Sequence, residues 1–216
     1  IPHGGDFEKL KQSVVEFLHN LPFYGLAVLC SDDPVVRELL PLVGRPAIRY
    51  GLGEDADLRA TALEQRGAQT RFQVVRAGAR PLSVTLNLPG LHNVRNALAA
   101  LAVATELELP DEPMVKALAA FSGVGRRFQR YGEVAVAKTS GGGHFTLVDD
   151  YGHHPVEMAA VIAAARGAFP GRRLVAVFQP HLYSRTAAHG QAMGEALAAA
   201  DVVFVTEIYP AREQPI

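Results

Sequence analysis

The sequence has no tryptophan, a single cysteine and no long apolar run, and each shortage removes a class of protein. One thiol, Cys30, excludes a disulfide framework and a cysteine metal site; closing the apolar run Leu26-Ala27-Val28-Leu29, it reads as a buried structural thiol. No window approaches the roughly eighteen consecutive apolar residues of a membrane span, and no charged-then-apolar leader opens the chain, so no membrane partner and a cytoplasmic setting are expected. A formal net charge of −1 over 216 residues gives no bulk attraction for nucleic acid, although Arg126, Arg127 and Arg130 form a local basic cluster suited to a few phosphates. No Gly-x-x-x-x-Gly-Lys-Ser/Thr occurs. The chain opens at Ile1 without methionine and closes at Gln214-Pro215-Ile216 directly after a strand-like run, the pattern expected of a fragment.

What is there is a globular α/β pattern, with 49% of residues apolar. Helical spacing from Phe7 to Leu18 precedes a buried strand at 25–30; Ser31-Asp32-Asp33-Pro34 punctuates, a short helix runs to Leu40, and Ala47–Gly51 gives another strand. Weak strands at 71–75 and 82–86, separated by Gly78 and Pro81, suggest an antiparallel patch. A long helix with Val94, Leu98 and Leu101 on one face follows from Asn93, its natural N-cap, and a second runs from Glu112 to Phe121. Ser122-Gly123-Val124-Gly125 marks a domain boundary, giving domains 1–123 and 124–216. Strands at 145–148, 174–178 and 202–206 then alternate with helices at 155–168 and 186–200, which predicts three parallel strands in one open sheet.

The polar residues of the second domain cluster where those strands end. Asp149-Asp150-Tyr151-Gly152-His153-His154 follows the first, Gln179-Pro180-His181-Leu182-Tyr183-Ser184-Arg185 the second, and Glu207-Ile208-Tyr209-Pro210 the third. Carboxyl ends of parallel strands share one edge, where ligands bind, so one site can hold all three groups. Acidic residues there would accept from a ribose or amine; histidines and Arg185 would donate to a carboxylate or phosphate. Each has a plainer alternative. Asp149 and Asp150 can cap the helix that Pro155 starts, Arg185 can be a surface charge, and Tyr183, Tyr209 and Glu207 can be packing or rim residues. Paired histidines between a glycine and a proline are harder to place in a core. Asn93 and Asn96, three apart at a helix start, would suit a base or phosphate, or simple capping; Arg126 and Arg127 would suit phosphates, or solvent.

Taken in order, Gly90-Leu91-His92-Asn93-Val94-Arg95-Asn96-Ala97, Gly123-Val124-Gly125-Arg126-Arg127-Phe128, Asp149-Asp150-Tyr151-Gly152-His153-His154-Pro155 and Gln179-Pro180-His181-Leu182-Tyr183-Ser184-Arg185-Thr186 resemble the Mur ligase family over essentially the whole chain. The double histidine and Gln-Pro-His point to its alanine-adding member. The resemblance implies that 1–123 is the latter part of a P-loop-type, ATP-binding central domain and 124–216 a truncated Rossmann-like ligase domain with a parallel sheet. It implies ATP and Mg2+ as cofactors, UDP-N-acetylmuramate and L-alanine as substrates, a possible homodimer, and a step of peptidoglycan precursor synthesis in which L-alanine is joined to the lactyl carboxylate through an acyl phosphate. Carried over by residue, Asn96, with Asn93 beside it, resembles the adenine contact, Arg126 or Arg127 the phosphate arginine, and Asp150 the acidic residue near the ribose. His153 resembles the family's shared histidine; His154, His181 and Arg185 fall on the amino-acid side, with Arg185 suited to the alanine carboxylate and Tyr151 lining the pocket. His153, His154 and Arg126 are the expected catalytic set. The magnesium-binding glutamate and histidine of the family would lie upstream of Ile1; His3 does not align with that histidine, and no metal ligand is assigned here. Lacking the phosphate loop, the chain alone is expected to be inactive. Leu182 stands where many relatives carry arginine. Two other readings are a ligase that recycles cell-wall tripeptide, against which Gln179-Pro180-His181 argues, and a non-catalytic nucleotide-binding module.

Overall fold

The computed structural model describes residues 6–215, so His3 lies outside the described residues. They divide into two compact units, one of 6–64, 71–85 and 93–119, the other of 65–70, 86–92 and 120–215.

In the first unit, helix α1 spans Phe7–His19, with the Asp6 carboxylate accepting from the N–H groups of Glu8 and Lys9. Strand β1 (Ala27–Cys30) leads through Asp33, the N-cap, and Pro34 at the first helical position into α2 (Pro34–Leu39), and β2 (Ala47–Gly51) follows. Then come β3 (Leu58–Arg66), β4 (Gln69–Arg76), β5 (Leu82–Leu86), α3 (Leu91–Glu106) and α4 (Asp111–Ala120). The five strands form one sheet in sequence order, with β1, β2 and β3 parallel. Gly67-Ala68 alone joins β3 to β4, a link too short for a parallel crossover, so that pair is antiparallel. Helix α3 buries Val94, Ala97, Leu98, Leu101 and Ala102, a single face at helical spacing.

Two expectations change here. Helix α3 begins at Leu91, directly after Gly90 at φ +94°, so Asn93 lies inside the first turn and is not the N-cap. Cys30 is half-buried rather than buried: it ends β1, in register with Tyr50 on β2.

In the second unit, β6 (Gln129–Ala135) and β7 (His144–Asp149) form an antiparallel pair, and α5 (Pro155–Ala168) follows. Strand β8 (Val175–Phe178), α6 (Tyr183–Leu197) and β9 (Val202–Val205) complete the unit, β8 and β9 being parallel. Helix α5 packs two ways. Ala164, Ala165 and Ala168 close on Phe128 with Val148 and Leu174 around them, while Met158 and Ile162 meet Met193 and Leu197 of α6. Alanines let the chain approach closely: Gly90, whose N–H donates to Gln65 at 3.2 Å, lies where an added Cβ would come 2.9 Å from the Ala164 methyl.

The single open sheet expected from the sequence is not formed. Strand β7 takes β6 as its hydrogen-bonded neighbour and, among the described residues, does not pair with β8. A cavity of about 530 Å³, lined on its two sides by Phe145, Leu147, Val175 and Val177, lies over α5. Three strand ends nevertheless open on one side.

Candidate active site

After β7 the chain turns on Asp150. Its Oδ1 accepts from Gly152 N–H at 2.7 Å and its Oδ2 from Phe128 N–H at 2.8 Å. This carboxylate ties the loop to the segment before β6, and it still has lone pairs to offer. Tyr151 N–H donates to Arg126 O at 2.8 Å, and the Arg126 guanidinium lies 4.5 Å over the Tyr151 ring. Arg126 is 62% exposed with its nearest carboxylate, Asp149, at 3.7 Å, while Arg127 meets Glu157 at 3.5 Å.

The paired histidines do different things. His154, not an aspartate, is the N-cap of α5: its Nδ1 accepts from Val156 N–H at 3.4 Å, and Glu157 Oε2 reaches back to the N–H groups of His153 and His154 at 3.1 and 3.2 Å. Burial alone would raise the Glu157 carboxyl, but these N–H bonds hold it below its usual range. His153 faces Tyr151 O through Nδ1 at 2.9 Å. A carbonyl only accepts, so Nδ1 carries the proton and a neutral ring leaves Nε2 as an acceptor.

The three strand ends converge through their rings. His153 and His181 lie 6.1 Å apart by centroid, and His181 stacks on Tyr209 at 5.7 Å and 25°. Arg185 Nη1 lies 3.4 Å from His181 Nδ1; a guanidinium only donates, so Nδ1 accepts and a neutral His181 presents Nε2–H. Leu182 between them takes φ +70°, an unfavourable conformation for a leucine, as the residue before α6.

His153, Tyr151, His181 and Arg185 are thus brought together, with Arg126 on Tyr151 and Arg127 on Glu157. Asn93 and Asn96 belong to the first unit, on the first two turns of α3, where Asn96 is exposed. Sequence reasoning overlooked His189, whose ring lies 5.3 Å from that of His154, and Glu213, which bonds Ser184. His189 carried a signal, one turn beyond Arg185; Glu213, 29 positions from its partner, carried none.

Among the described residues, no group of three or more His, Cys, Asp or Glu is placed to hold a metal ion, and no helix is long and apolar enough to cross a membrane.

The profile described as Mur ligase middle domain matches residues 2–104, and that described as Mur ligase, glutamate ligase domain matches 126–215. The UDP-N-acetylmuramate--L-alanine ligase of Ralstonia nicotianae is 59% identical over 99% of this chain and 45% of its own length. That of Leptothrix cholodnii is 59% identical over 99% of this chain and 46% of its own. The chain therefore spans less than half the length of these relatives. Among solved structures, UDP-N-acetylmuramate-alanine ligase from Thermotoga maritima superposes with a TM-score of 0.72 at 27% identity, over 96% of this chain and 43% of that one. Matched in order by two domains of one family, the chain belongs to the Mur ligases.

Proposed function

We propose that this chain is the portion of an ATP-dependent ligase that helps hold the nucleotide and the amino acid while L-alanine is joined to the lactyl carboxylate of UDP-N-acetylmuramate, a step of peptidoglycan precursor synthesis. The observation that carries the reading is the meeting of His153, His181 and Arg185 on one rim. The identity to alanine ligases supports it.

In this reading residues 1–123 are the latter part of the ATP-binding domain and 124–216 the ligase domain. ATP supplies the phosphoryl group that activates the carboxylate as an acyl phosphate; the alanine nitrogen then bonds the acyl carbon as the carbon–oxygen bond to phosphate breaks. Arg126 and Arg127, both more than half exposed, suit the phosphate oxygens. Asp150 uses its remaining lone pairs on the ribose hydroxyls, and Asn93 and Asn96 are the residues proposed for the base. Arg185 binds the alanine carboxylate, His181 donates through Nε2–H, and His153 Nε2 accepts the proton lost by the alanine ammonium. His154 sets the start of α5, and Tyr151 supports Arg126. Magnesium is part of the family expectation, and the described residues offer no group of three or more ligands for it. The protein acts in the cytoplasm, with a homodimer as the assembly to be tested by sedimentation.

The test is ADP release by the enzyme completed with the upstream and downstream sequence of its gene. With UDP-N-acetylmuramate present, release should depend on L-alanine in preference to L-serine, glycine and the cell-wall tripeptide. Dependence on the tripeptide would transfer the reading to the recycling ligase; dependence on no amino acceptor would leave a nucleotide-binding module.

A further inference from the structure

The loop after β9 is fastened to the start of α6 at two places. Tyr209 N–H donates to Pro180 O at 2.8 Å and Leu182 N–H donates to Tyr209 O at 2.9 Å, forming a parallel bridge between His181 and Tyr209. Four residues on, Glu213 Oε2 accepts from Ser184 N–H at 3.0 Å and Oε1 from the Ser184 hydroxyl at 2.5 Å. Ser184 is the second residue of α6, where backbone N–H groups have no helical partner and the helix dipole favours an anion. The helix supplies no cap of its own: Leu182 precedes it without a side-chain hydrogen bond, at φ +70°. A carboxylate from 29 positions away takes that place. Its carboxyl is held below the usual range by the Ser184 hydroxyl and N–H, in that order, so it is ionised at neutral pH.

We propose that Glu213 is a positioning residue of the candidate site: by capping α6 from the loop after β9, it fixes the first helical turn and so the placement of Arg185 and His181. Arg185 is the next residue after the capped serine, and its guanidinium meets His181 at 3.4 Å while Tyr209, on the same fastened loop, lies flat against the imidazole. Because Glu213 already takes up Ser184, an incoming carboxylate finds its cation in Arg185 rather than in the helix end. The inference rests on the reading of Arg185 as the alanine-carboxylate donor.

The test uses the complete enzyme with Glu213→Ala, Glu213→Gln and Ser184→Ala. Glu213→Ala should raise the KM for alanine about fivefold or more, as loss of a helix cap next to the binding residue would, and leave the KM for ATP within about twofold. Formate should recover part of that loss by replacing the missing carboxylate. Glu213→Gln, which keeps shape and one acceptor oxygen, and Ser184→Ala, which keeps the backbone bond, should fall between. Amide hydrogen exchange at Tyr183 and Ser184 should quicken in Glu213→Ala; it reads the cap without reference to turnover. Unchanged exchange overturns the cap, and faster exchange with an unchanged alanine KM overturns the positioning role. If the complete wild-type enzyme shows no alanine-dependent ADP release, the ligase reading fails instead, and exchange still decides whether Glu213 caps α6.

Discussion

Similarly apolar strands are covered very differently in the two units. In the first, Phe72, Val74 and Val84 of β4 and β5 are buried, as are Val94, Leu98 and Leu101 of α3. In the second, Ala176 and Phe178 of β8 pack against the Met158–Met193 cluster, but Val177 is 72% and Phe204 58% exposed on the opposite face. Parallel strands normally bury both faces. The contrast shows where each unit gets its order. Residues of the first are placed by a sheet and helix with a dense core. The rim of the second is placed by bonds between loops: Asp150 to Phe128 and Gly152, Glu157 to the histidine N–H groups, Tyr209 to Pro180 and Leu182, and Glu213 to Ser184.

The comparison breaks most readily at its buried end. Leu98→Ala, at a fully buried position, should cost about 3 kcal/mol in urea unfolding by lost transfer energy and the cavity left behind. In the second unit, Asp150→Asn should cost about 1–3 kcal/mol, because an amide has one acceptor oxygen for two backbone N–H groups and leaves one of them unpaired. Acid sharpens the same point. Asp201 is held at about 2, below the usual 3.8, by the Arg166 guanidinium and the Leu174 N–H. A depressed carboxyl contributes stability that is present above its unfolded value and lost as pH falls through its folded one, here between about pH 4 and 2. Asp201→Asn should therefore flatten the fall of stability over that window in acid titrations followed by circular dichroism. The smallest effect belongs to Val177→Thr, expected within about 0.5 kcal/mol of wild type as a surface change. A cost near that of Leu98→Ala would mean that this face is covered in solution, and the contrast between the units would fail.

Much of this was legible in sequence, with a clear boundary to what was not. Helix α5 was legible from Pro155 to Ala168 because Pro155 fixes its start and apolar residues recur at helical spacing. The three strand-end groups were read because unusual polar residues followed directly on short apolar runs. Strand β3 escaped because Ala60 and Ala62 give weak alternation, interrupted by Ala62 at φ +49°. Strand β6 escaped because Gln129-Arg130-Tyr131-Gly132-Glu133 is mostly polar, and its omission is why β7 was assigned to the wrong neighbour. The cap on α6 by Glu213 and the Arg166–Asp201 pair join residues 29 and 35 apart; local pattern carries no trace of such contacts. Asp150 was read as a ligand residue or a helix cap, whereas its bonds to Phe128 and Gly152 give it the task of holding the loop.

The claim at the centre of the account is that the rim of the second unit serves the amino acid through Arg185. Steady-state kinetics of Arg185→Ala in the completed enzyme test it most directly. The account predicts a KM for alanine raised by about tenfold or more, the order expected for loss of a charge-assisted bond to a carboxylate, with the KM for ATP little changed. Equal changes in both, or none in either, would contradict it.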